Sequence, residues 1–99
     1  DATIGITEGQ QRLDAGFYSS RWERATNAER KFLRAMAVDG GEPSRIGDIT
    51  ERLGKASSRS LGPARASLIN KGIVYSPERG TIAYTVPGMA DYVARRDED

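Results

Sequence analysis

The chain has 99 residues, of which 37% are hydrophobic and 29% charged, with 15 Lys and Arg against 14 Asp and Glu. That composition suits one small domain with a single modest core, and it excludes a disordered polyelectrolyte or a histone-like basic chain. There is no Cys and no His, so a disulfide framework, a thiol nucleophile, a zinc-finger site and a Ser-His-Asp triad are all excluded. No apolar run approaches the length of a membrane span or a signal-peptide core. Absent cysteine is in keeping with a cytoplasmic location. The first residue is Asp1 rather than Met, so the expectation is a fragment or processed product that serves a larger protein.

Leu13, Phe17 and Tyr18 fall on one stripe of a helix, and Trp22 extends it. Ser19-Ser20 loosens this pattern and predicts a bend. Residues 1–22 are therefore read as an N-terminal helix and bend, and residues 23–99 as the main domain. The aromatic cluster Phe17, Tyr18 and Trp22 reads either as core or as a docking patch. Thr26-Asn27-Ala28-Glu29 is a capping box, in which the Thr hydroxyl accepts from the Glu29 N–H and the Glu carboxylate returns the bond. Phe32, Leu33, Met36 and Ala37 continue with helical spacing until Gly40-Gly41 ends the helix.

Glu42 to Arg45 is a loop or a very short extended segment. Ile46, Ile49 and Leu53 then mark a short helix closed by Gly54. After a polar turn at residues 55–58, Leu61, Ala64 and Leu68 define another helix that runs to Lys71, with Gly72 behind it. Pro63 is tolerated only in a first turn, so this helix begins between Ser58 and Gly62. Ile73 to Ser76 and Thr81 to Val86 read as two strands joined by the four-residue turn Pro77-Glu78-Arg79-Gly80. Met89, Tyr92 and Val93 mark a last short helix before the acidic end Asp97-Glu98-Asp99. The predicted core is Phe32, Leu33, Met36, Ile46, Ile49, Leu53, Leu61, Leu68, Ile73, Tyr84 and Val86.

Two short helices joined by a tight turn and followed by a hairpin predict a mainly α fold with a β-hairpin. The arrangement is a winged helix-turn-helix with a three-helix core plus wing, flanked by an N-terminal and a C-terminal helix. Ile49-Thr-Glu-Arg-Leu-Gly54, Ser60-Leu-Gly-Pro-Ala-Arg65, Leu68-Ile-Asn-Lys-Gly-Ile-Val74 and Gly80-Thr-Ile-Ala-Tyr-Thr-Val-Pro87 resemble the winged-helix family. Together with Arg21-Trp22 and Thr26 to Ala37, they resemble more narrowly the C-terminal winged-helix domain of bacterial and archaeal AAA+ ATPases of the origin-recognition type. The resemblance covers residues 17–96. It implies a double-stranded DNA-binding module, with ATP held elsewhere in the parent protein and the ATPase domain of the same chain as a possible packing partner. The alternative is a protein-interaction or structural module that packs on that ATPase or on another partner.

Residues 52–80 hold Arg52, Lys55, Arg59, Arg65, Lys71 and Arg79 against Glu78 alone, whereas the flanking segments are both net acidic. Opposite Leu68 the helix wheel places Arg59, Pro63, Ala66 and Asn70, flanked by Ser60 and Ser67. Arg and Asn side chains read guanine and adenine edges, and Ser hydroxyls hold phosphates. The predicted contact residues are thus Ser58, Arg59, Ser60, Arg65, Ser67, Asn70, Lys71 and Arg79. Each has a plainer reading: serines as caps, Lys71 against the negative end of its helix, Arg65 paired with Asp48 or Glu51. No catalytic constellation is present. Gly54-Lys55 is followed by Ala56 and preceded by Ile49 where a P-loop needs Gly. No cofactor is expected in this segment, and no membrane partner.

Overall fold

The computed structural model describes residues 16–55 and 57–96. Leu13, Asp97, Glu98 and Asp99 lie outside the described residues. Among those described, the chain is mainly helical with a small three-stranded antiparallel sheet. Residues 16–24 are helical (α1). Then follow α2 (Asn27–Ala37), β1 (Ser44–Arg45), α3 (Ile46–Arg52), a 3-10 turn (Ser58–Leu61), α4 (Gly62–Asn70), β2 (Val74–Tyr75), β3 (Thr81–Tyr84) and α5 (Met89–Ala94).

The capping box forms as its spacing dictates. Thr26 Oγ1 accepts from the Glu29 N–H at 3.2 Å, and Glu29 Oε1 accepts from the Thr26 N–H at 3.1 Å. α2 then turns Phe32, Leu33 and Met36 inward, and all three are fully buried. Ile49 of α3, Leu61 and Leu68 of the α4 segment, and Ile73, Val74 and Ile82 of the sheet close around them, with Met89 and Val93 of α5 on the remaining side. Tyr84 is buried with its hydroxyl donating to the Leu33 carbonyl at 2.6 Å, which satisfies the one polar atom it brings inside. Of the expected core, Ile46, Leu53 and Val86 are only half-buried.

Two expectations, the bend and the hairpin, are corrected. The first helix does not bend at Ser19-Ser20: it continues to residue 24, because Ser19 Oγ folds back onto the Gly16 carbonyl at 3.1 Å instead of disturbing the helix. Of the two readings of the aromatic cluster, the core one holds for Trp22, which is 3% exposed and belongs to the common core. The hairpin is also not a four-residue turn between two long strands. β2 pairs with β3 only at Val74↔Tyr84 and Tyr75↔Ala83, while the start of β3 pairs with β1 at Ser44↔Ile82 and Arg45↔Thr81. β3 is therefore central, in the order β1-β3-β2. Ser76 Oγ ties off the tip by donating to the Thr81 carbonyl at 2.8 Å.

α1 is fastened to the other end of the chain. The Tyr18 hydroxyl donates to the Pro87 carbonyl, and its ring meets Tyr92 of α5 at 5.6 Å between centroids. The fit depends on Gly88, which has φ of +85° and lies directly beneath the Tyr18 hydroxyl. A methyl group there would meet both an unfavourable backbone conformation and that hydroxyl. Gly88→Ala is expected to lower unfolding free energy by about 2–4 kcal/mol, measured by urea denaturation; an unchanged midpoint would refute this account of the α1–α5 junction.

Candidate nucleic-acid interface

The segment from Lys55 to Asn70 presents one exposed strip. Arg59 begins it on the 3-10 turn, and Gly62, Pro63, Ala66, Ile69 and Asn70 continue it along α4, all exposed. The helix wheel thus holds: Leu68 is fully buried on the opposite side. Lys55 and Arg59 have no carboxylate partner among the described residues. Ser58 Oγ lies 3.3 Å from Thr50 Oγ1, linking the turn to α3. The Ser60 hydroxyl is used locally, donating to the Ser57 carbonyl at 2.9 Å.

The other predicted contacts are placed differently. Lys71 leaves the strip: its Nζ donates to Glu29 Oε1 at 2.6 Å and to the Arg24 carbonyl at 2.8 Å. Arg24 Nη2 returns a bond to the Lys71 carbonyl at 2.6 Å. Ser67 is half-buried and turns its hydroxyl toward the same Glu29. Arg65 is half-buried with its Nε enclosed and without a hydrogen-bond partner among the described residues, and no ion pair joins it to Asp48 or Glu51. Arg52 is held by Asp39 through two hydrogen bonds, at 2.7 and 3.1 Å. Arg79 is exposed at the tip between β2 and β3, in an open depression that it shares with Arg45 and with the carboxylates of Asp48, Glu51 and Glu78. Two basic and three acidic residues thus share that depression. The six basic residues that cluster in the linear text resolve into two ion-paired ones, one half-buried, one in a depression shared with acidic residues, and two with no carboxylate partner among the described residues.

Sequence reasoning missed both ion pairs, Arg52–Asp39 and the more deeply placed Glu29–Lys71. The sequence signal of the second is the capping box, which already demands that Glu29 turn back toward its own helix end. Burial works to raise the Glu29 pKa, but hydrogen bonds from Lys71, Ser67 and Thr26 outweigh it and hold the carboxyl below its ordinary value. The Arg52 guanidinium and the Ser44 hydroxyl lower Asp39 in the same direction.

A family model described as a domain of unknown function, DUF8462, matches residues 15–93. The chain belongs to that family. No curated protein and no solved structure matches it. The DUF8462 match ends at Val93, the last buried residue of α5, so family and packing unit coincide at that end. No helix among the described residues is long and apolar enough to cross a membrane.

Because the folded pKa of Glu29 is depressed, its contribution to stability is present above the ordinary carboxylate value and is lost as pH falls through the folded value. Urea midpoints of this DUF8462 domain, followed from neutral pH down through the carboxylate range, are expected to fall. Glu29→Gln is expected to be less stable at neutral pH and to show a shallower fall, with the remainder of the slope carried by Asp39. Superimposable pH profiles for the two proteins would count against the pair as a source of stability.

Proposed function

We propose that this chain is a winged helix-turn-helix module that docks double-stranded DNA through the turn before α4 and the exposed strip of α4. Support for the winged arrangement comes from the order α2, β1, α3, α4, β2, β3, with the short strand β1 paired to β3. In such an arrangement the second helix of the motif meets the major groove and the wing tracks the backbone. The observation that carries the reading is that Lys55 and Arg59 stand exposed and unneutralised where α4 begins. Beside them, Gly62, Pro63 and Ala66 are small enough to let the helix backbone come close to a groove floor. Lys55, Arg59 and Asn70 are the side chains of that segment with donors to read base edges.

The wing makes the smaller contribution, since Arg79 shares its depression with Asp48, Glu51 and Glu78 as well as Arg45. In the setting that the resemblance implies, an ATPase of the AAA+ class binds ATP elsewhere in the polypeptide, and this module grips the duplex or packs on the ATPase. The second reading, a protein-docking module, is favoured by Ile69, which is 38% exposed on the same strip as Arg59. Phe17, at 45% exposure, is all that remains of the aromatic docking patch at α1, because Trp22 is core and Tyr18 packs against it.

Fluorescence anisotropy on a duplex at several salt concentrations tests this. Six phosphate contacts would give a log–log salt slope of about −5. The three exposed cations Lys55, Arg59 and Arg79 give about −3, at ~0.9 per phosphate. Lys55→Glu with Arg59→Glu is expected to abolish binding, whereas Arg79→Ala weakens it less than Arg59→Ala does. Absence of binding by the unaltered protein at low salt would overturn the DNA reading in favour of protein docking.

A further inference from the structure

α2 and its C-cap residue carry a second stripe, Lys31, Arg34 and Val38, outside the apolar core. Val38 is 69% exposed, the highest value among the exposed large hydrophobic side chains. It follows the last residue of α2 in right-handed helical backbone, so its exposure is not forced by a special turn. Between this stripe and the end of α3 lies a shallow depression of about 290 Å³, with Ala35, Val38 and Leu53 as its apolar floor and Lys31, Arg34 and Arg52 as its rim. A second depression continues across Val38 to Ala94 of α5. Among the described residues, no Asp or Glu lines either one.

The rim is held in place. Arg34 Nη2 donates to the Arg96 carbonyl at 3.0 Å, and its guanidinium stands 5.3 Å from the centre of the buried Trp22 ring. Arg52 Nη1 donates to the Ala35 carbonyl at 3.0 Å as well as to Asp39. Asp39 is spent on Arg52 and on Ser44, whose Oγ donates to it at 2.6 Å. Lys31 is exposed and has no carboxylate partner among the described residues. An apolar floor with a positive rim selects a complementary surface: aliphatic side chains at helical spacing, bordered by carboxylates.

We propose that the α2–α3 groove centred on Val38 docks an acidic amphipathic helical segment of a partner protein. This surface is separate from the α4 strip and does not depend on the DNA reading. The probe is a fluorescein-labelled synthetic peptide with Leu on one helical face and Glu on the others. Two control peptides are used: one of the same composition with the Leu residues scattered, and one with Lys in place of Glu. Anisotropy titration is expected to show binding of the first peptide only. Val38→Asp and Lys31→Glu should each weaken it about tenfold, as for loss of a single anchor or a single rim charge. Both side chains are exposed, and unchanged thermal midpoints would establish that the variants fold. Equal binding of the scattered peptide, equal binding of the Lys peptide, or no effect of Val38→Asp would each overturn the proposal. So would concentration-dependent self-association that Val38→Asp abolishes, since a second copy would then be the occupant.

Discussion

One buried carboxylate sets the geometry on which the candidate interface depends. Glu29 closes the first turn of α2 by accepting from Thr26 and simultaneously receives Lys71 from the end of α4. Arg24 and Lys71 each donate to the other's carbonyl across the same corner. The side chain of Glu29 is only 5% exposed, so an unpaired charge there would be strongly destabilising. The corner between α1 and α2 and the end of α4 are thereby held together, and α4 has little freedom to rotate about Leu68. That restriction determines which of its side chains meet solvent.

The same arrangement governs the charge. Nearly all the net positive charge of residues 52–80 would face outward if each cation were independent. Arg52 and Lys71 are instead paired, each bonded to a carboxylate and to a backbone carbonyl of another segment. What remains is a narrow cationic turn at Lys55 and Arg59 leading into a strip of small and apolar residues. A second, independent surface lies around Val38, where Arg34 rests on the Trp22 ring and the Arg96 carbonyl while Arg52 is paired with Asp39. The domain is close to neutral as a whole and still has two positive flanks of different character: one nearly flat and small-featured, the other with an apolar floor.

Much of the architecture was legible in the residues. Thr26 and Glu29 declared the start of α2, Pro63 confined the start of α4, and Gly54 and Gly72 take the positive φ their positions behind α3 and α4 require. β1 was the element least visible. Two residues carry no periodicity, and Ser44–Arg45 is a strand only because Ile82 and Thr81 lie beside it. Ser44 is almost fully buried because Asp39 accepts its hydroxyl, a contact that a sequence pattern does not encode. Trp22, Met89 and Val93 fell on stripes of helices that were foreseen, yet their rank in the core follows from α1 and α5 folding back onto α2.

By itself, then, the sequence determined the helices, their caps and breaks, the hairpin segment, and the lack of any cysteine or histidine chemistry. These are properties of neighbouring residues, and short-range hydrogen bonding and backbone conformation decide them. The tertiary structure alone decided which charges are free. Glu29 and Lys71 are 42 positions apart, and whether such a pair meets is settled by the path of the chain and by burial, neither of which a local pattern contains.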